Sequence, residues 1–227
     1  MAGTVMHLVV ADALLDTLKI QNPALFYCGN LAPDAIMSKE GYVRDMKRHT
    51  HFKDDIRLHE LRIPEKMAVY QKRLMEFYEK YVAVPTQHRE LYLGYLTHML
   101  VDELYILDFR DGFVDRLIAE GRAPDDKEFF HLFAQDVDRV DRKLAKDHSF
   151  RYPMPGILRK ESRYEIPGYV DNQSLLDSKE FIIRKNFLAS DEQEDLQVMT
   201  FEQNREFMER CIAGIPGILR ERYHYLG

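Results

Sequence analysis

GYLTHMLVDELY, residues 94 to 105, sets a histidine and an aspartate four positions apart in an otherwise oily run. Buried without partners, such groups would cost on the order of 2–7 kcal/mol for a polar group and more for a charge. Helical residues four apart project from the same side, so Gly94, His98 and Asp102 fall on one line and both polar heads converge on one point. Gly94, one turn before His98, is expected to leave space beside the imidazole. Taken alone, the pair also fits a purely structural arrangement in which the carboxylate orients the ring. A metal site needs further ligands.

Working outward, helical periodicity dominates the chain. Residues 4 to 19 read as an amphipathic helix opened by Thr4, with His7, Val10, Ala11, Leu14 and Leu18 on one stripe and Asp12, Asp16 and Lys19 opposite. Asn22-Pro23 caps and opens a short second helix, which Gly29-Asn30 and Pro33 are expected to end. A polar loop from Ser38 to Thr50 follows. Pro64 opens a helix whose Met67, Tyr70, Leu74, Phe77 and Tyr81 recur at helical spacing until Pro85, and the next runs from about Gln87 to Asp108. GFVDRLIAEG adjoins it, and DDKEFFHLFAQDVDRVDRKLAKDH forms another helix. A proline- and aromatic-rich loop at 150–172 precedes helical stretches near 174–189 and 199–213. No sustained alternation supports a sheet. The expectation is an all-α, multi-helix bundle in a single domain, 1–227. PGILR occurs at Pro155 and Pro216, too short a match for a repeat.

Composition narrows the function classes. With 227 residues, 45% of them hydrophobic, the chain can build one large core. A net charge of -6 argues against stable nucleic-acid binding, which favours a basic surface. The two cysteines, Cys28 and Cys211, form no CxxC pattern, so neither a disulfide framework nor a thiolate zinc site is indicated. The first residues carry no basic leader, and Asp12 and Asp16 interrupt the apolar run. No transmembrane segment and a cytoplasmic location are expected. The sequence does not reveal the oligomeric state.

Further ligand candidates exist. His7 lies on the core stripe of the first helix, Asp34 follows Pro33 in GNLAPDA, and KRHTHF supplies His49 and His51. Imidazole and carboxylate are the ligands that zinc takes when thiolate is absent, and iron, manganese or nickel fit them too.

The order MH, APDA, KxxxHF and GYLTHxxxDELY resembles the zinc-dependent phospholipase C family, in particular its short bacterial members of unassigned substrate. The resemblance covers roughly residues 1 to 110. It implies a bundle of the phospholipase C and single-strand nuclease type around His- and Asp-held metal ions. Asp34, His51, His98 and Asp102 would form one site, and His7 would help to hold a second ion with Asp102 bridging. Secreted relatives use the amino group of a leading tryptophan and further histidines downstream of HxxxD. This chain has no tryptophan, and only His131, His148 and His224 follow Asp102, although Glu103, Asp136 and Asp141 offer oxygen ligands. One or two ions, rather than three, are expected.

The leading functional expectation is metal-dependent hydrolysis of a small phosphoester, with Asp34 orienting or deprotonating the attacking water. Arg151, Arg159, Lys160 and Arg163, interleaved with tyrosines in the 150–172 loop, are the candidate substrate contacts. The alternative is a helical binding or scaffold protein with a structural metal or a buried His/Asp network. A histidine-aspartate phosphohydrolase ranks last, because no His-Asp dipeptide occurs. Glycine-rich phosphate loops, GxSxG and HExxH are also absent from the sequence.

Overall fold

A computed structural model describes residues 2–43, 45–160, 164–189 and 195–225. Among the described residues the architecture is all-α, and the sole β feature is an isolated bridge between Ile166 and Val170. No helix among them is long and apolar enough to cross a membrane.

Helix α1 (Thr4–Leu14) is buried on nearly every side, including Asp12. Of the expected polar face only Asp12 is covered, since the helix ends at Leu14 rather than at residue 19 and Asp16 and Lys19 stay exposed beyond it. The Asp12 carboxylate accepts the Tyr27 hydroxyl at 2.5 Å and the Arg151 amide, and it faces His148 Nε2 at 3.3 Å. These partners offset its desolvation. Thr4 is the first helical residue rather than the cap. Gly3 precedes it without a side chain to offer, and Asp141 of a later helix takes the Met6 N–H at 3.1 Å.

Helix α2 (Pro23–Leu31) starts as expected, with Asn22 accepting the Leu25 N–H and proline in the first turn. Gly29-Asn30 does not end it. The chain continues through a 3₁₀ turn, Ala32–Ser38, that carries Asp34. The reason is packing against α5 (Arg89–Leu104), which follows the short α3 (Met46–Thr50) and α4 (Pro64–Phe77). A Cβ at Gly29 would overlap the Leu91 carbonyl oxygen, and one at Gly94 would overlap the carbonyl oxygen of Phe26. The two glycines let the helix backbones touch. Gly94 thus makes room for α2, not for the imidazole as its position in the sequence suggests.

The remaining helices enclose this pair. α5 runs through a π-helical turn, Tyr105–Arg110, into α6 (Asp111–Ala119), and α7 (Lys127–Asp147) is capped by Asp126 on the Phe129 N–H at 2.9 Å. The stretch expected to be a loop at 150–172 contains α8 (Met154–Lys160), because Met154 and Leu158, one turn apart, are both buried. α9 (Asn172–Ile182) follows, and α10 (Phe201–Tyr223) opens with a Thr200/Gln203 capping box. α10 outruns its expected end despite Pro216, since Cys211, Ile215, Leu219 and Tyr223 continue the buried stripe on both sides of the proline. α1 packs against α2, α7 and α10, so His7 points towards the α2–α5 seam.

Candidate metal centre

Four chain segments deliver five side chains to one point beside that seam. α1 supplies His7, the 3₁₀ turn Asp34, the end of α3 His51, and α5 both His98 and Asp102. His51 Nε2 lies 3.3 Å from Asp34 Oδ1 and 3.5 Å from Asp102 Oδ2. His98 Nε2 lies 3.8 Å from Asp102 Oδ2, and His7 Nε2 lies 3.5 Å from Asp102 Oδ1. The His7 and His98 rings stack at 3.6 Å with planes 8° apart. Ligand atoms of His7, His98 and Asp102, and separately of Asp34, His51 and His98, lie within 4.8 Å of one another.

The hydrogen bonds on the far sides of two rings fix their tautomers. His98 Nδ1 is 2.7 Å from the Asn30 carbonyl oxygen, which can only accept, so Nδ1 carries the proton and Nε2 presents a lone pair. The Thr50 hydroxyl donates to the Pro33 carbonyl at 2.7 Å and therefore accepts from His51 Nδ1 at 3.1 Å. His51 Nε2 likewise presents a lone pair. Tyr95 holds this arrangement by donating its hydroxyl to the Thr50 carbonyl. Metal-bound histidines use such outer hydrogen bonds to hold ring and proton in place.

Both lone pairs face carboxylate oxygens. His7 Nε2, His51 Nε2, His98 Nε2, Asp34 Oδ1 and Asp102 Oδ2 are all buried without a hydrogen-bond partner. Lys47 Nζ sits 2.6 Å from Asp34 Oδ1, an ion pair that lacks hydrogen-bond geometry. The Ala2 amide donates to Asp102 Oδ1 at 3.3 Å. Orphaned acceptors gathered in one dry place are what a cation would satisfy. The donor set of imidazole and carboxylate fits zinc and its first-row neighbours.

Electrostatics prepare the same ligand states. Burial, with the neighbouring His7, keeps His98 neutral far below the usual imidazole range, and burial above all holds His51 down to about 4. Burial alone would raise Asp34 and Asp102. It is outweighed at Asp34 by the Lys47 ammonium and at Asp102 by the His7 contact, so both carboxylates stay well below their ordinary range. Neutral rings and ionised carboxylates are the forms that bind metal. A pH dependence follows. The unfolded chain protonates His51 near 6.5, whereas the folded chain resists until about 4. Its contribution, on the order of 3 kcal/mol, is complete above 6.5 and lost as the pH falls towards 4. His98 acts in the same direction. Asp141, raised by burial to about 6, works oppositely, favouring the folded state below 3.8 and losing that effect as the pH rises through 6. Asp111 and the exposed His49, both raised, act with Asp141, but solvent screens His49. The two fully buried rings dominate, so the ion-free protein should be less stable at pH 4.5 than at pH 7, as urea midpoints across that range will show.

The other candidates lie elsewhere. Arg151 forms a bidentate pair with Asp16 at 2.6 Å, and Arg159 pairs with Glu180 at 2.7 Å. Lys160 is exposed at the end of α8, and Arg163 lies outside the described residues. Of the spare oxygen ligands, Glu103 pairs with Arg222, Asp136 accepts the amides of residues 197–199, and Asp141 caps α1. His148 faces Asp12, and His131 contacts Gln135. His49 bridges Asp54 and the Gly168 carbonyl rather than joining the cluster. Lys47, Asn30 and Thr50 are the contributors that sequence reading missed. A backbone carbonyl leaves no trace in a sequence, and Lys47 sits in a KRH run that reads as solvated charge.

No protein-family model, curated protein or solved structure matches this chain.

Proposed function

We propose that the protein is a metal-dependent phosphoester hydrolase, as the resemblance to the zinc-dependent phospholipase C family implies. The observation that carries the reading is the convergence of fixed imidazole lone pairs on two ionised carboxylate oxygens that accept no hydrogen bond. Asp34, His51, His98 and Asp102 would hold a divalent ion, most simply zinc, and His7 would share Asp102 with a second. When bound, the ion supplies Lewis acidity to a phosphoryl oxygen and lowers the pKa of water towards about 7.

The chain's own residues do the rest. Asp34 is the least enclosed of the five, and its carboxylate orients the attacking water and accepts the proton as the bond to the leaving group breaks. The stacked His7 and His98 rings close the inner wall to solvent. The net charge of -6 suits a small phosphoester better than a nucleic-acid chain, and two buried free thiols suit a reducing cytoplasm.

The test is elemental analysis of protein purified without chelator, followed by assay on a chromogenic phosphodiester. EDTA should abolish hydrolysis, and Asp34→Asn should lower kcat about 100-fold or more. An unchanged rate in His98→Ala removes the reading. Complete burial of the three rings also favours a structural ion in a binding protein. That alternative predicts an EDTA-sensitive melting temperature with no hydrolysis to lose.

A further inference from the structure

Enclosure is uneven around the cluster. The side chains of His7, His51 and His98 are 0% exposed and that of Asp102 is 1% exposed, against 9% for Asp34 and 17% for Lys47. Thr4, half-buried, places its hydroxyl 3.5 Å from Asp34 Oδ2. The least enclosed side of the cluster is therefore the one that Asp34, Lys47 and Thr4 form. Lys47 is a cationic side chain paired directly with a member of the cluster, Asp34.

We propose that Lys47 is the anion-recognition residue of this centre, reading the negative charge of the phosphoryl group on that side. The inference rests on the metal-site reading. Without an ion, the ammonium balances Asp34. An ion and an ammonium drawn to the same Asp34 oxygen repel each other, so a loaded site releases Lys47 from that oxygen. The freed ammonium stays anchored by α3 on the least enclosed side, where it meets an incoming phosphoryl oxygen as a charge-assisted donor. Lys47 thus plays two parts: it competes with the metal for Asp34 and attracts the substrate.

The two parts give opposite signs on substitution. Lys47→Met, or Lys47→Gln if the first variant folds poorly, should bind zinc as tightly as wild type or a few-fold more tightly. In titration calorimetry the zinc-loaded variant should bind inorganic phosphate about tenfold more weakly, or worse. Lys47→Arg, which keeps the charge, should restore phosphate binding to within a few-fold. Equal phosphate affinity at equal zinc content overturns the role in recognition. Loss of zinc on removing Lys47 shows a mere support for Asp34 and overturns it too. A wild-type protein that takes up no zinc defeats the metal reading itself, a result distinct from either.

Discussion

Excess zinc should raise the melting temperature by about 10 °C, and Asp102→Asn should abolish the rise. A ligand at about 1,000 times its Kd stabilises the folded state by about 4 kcal/mol. For a chain of this length each kcal/mol moves the midpoint by roughly 2–4 °C. The other half of the experiment is done in EDTA. Asp102 accepts the Ala2 amide on Oδ1, while Oδ2 faces the lone pairs of His51 and His98. In the Asp102→Asn variant the side-chain carbonyl oxygen can keep the first contact and an N–H can donate to a ring nitrogen. Even so, the ionised Asp102 is stabilised by its surroundings, so the ion-free variant should melt lower than ion-free wild type, and its zinc response should be gone. A plain hydrogen-bond network would show the same ion-free loss but no zinc-dependent rise in the wild type. Calorimetry with and without chelator separates the two.

Gly94→Ala is expected to cost several kcal/mol and to leave little folded protein at 37 °C. An ordinary helix gains up to about 1 kcal/mol from that exchange. Here the added methyl would enter the carbonyl oxygen of Phe26, a backbone atom that cannot turn aside. Gly29→Ala, which meets the Leu91 carbonyl, should behave alike. Gly112→Ala on α6 meets nothing and serves as the control, neutral or mildly stabilising. Urea midpoints of the three variants decide the matter. Damage should reach the metal centre as well, since Asn30, whose carbonyl fixes the His98 proton, directly follows Gly29. Helix packing and ligand tautomer are set by one close approach.

Helix identity was legible wherever an apolar stripe persisted, as on α4, with Tyr70, Leu74 and Phe77, and on α5. It was obscured where burial came from distant segments. Asp12 reads as a solvent-facing residue of α1 until Tyr27, His148 and Arg151 close over it. At the centre, the histidines and aspartates could be picked out by residue type. Their outer partners could not, because Asn30 and Pro33 act through carbonyl oxygens that every residue possesses. The basic residues of 150–172 misdirect for a related reason. Charge in a sequence does not reveal its counter-charge, and Asp16 lies 135 residues from the Arg151 that it neutralises.

The cap on α1 bears on how the molecule is made. Its opening amides wait for a carboxylate that is 135 residues downstream of Met6, in the middle of α7. A ribosome therefore delivers the helix that carries His7 long before the group that secures its first turn. That helix can settle fully only after Asp141 has emerged, which makes the inner wall of the centre a late product of biosynthesis.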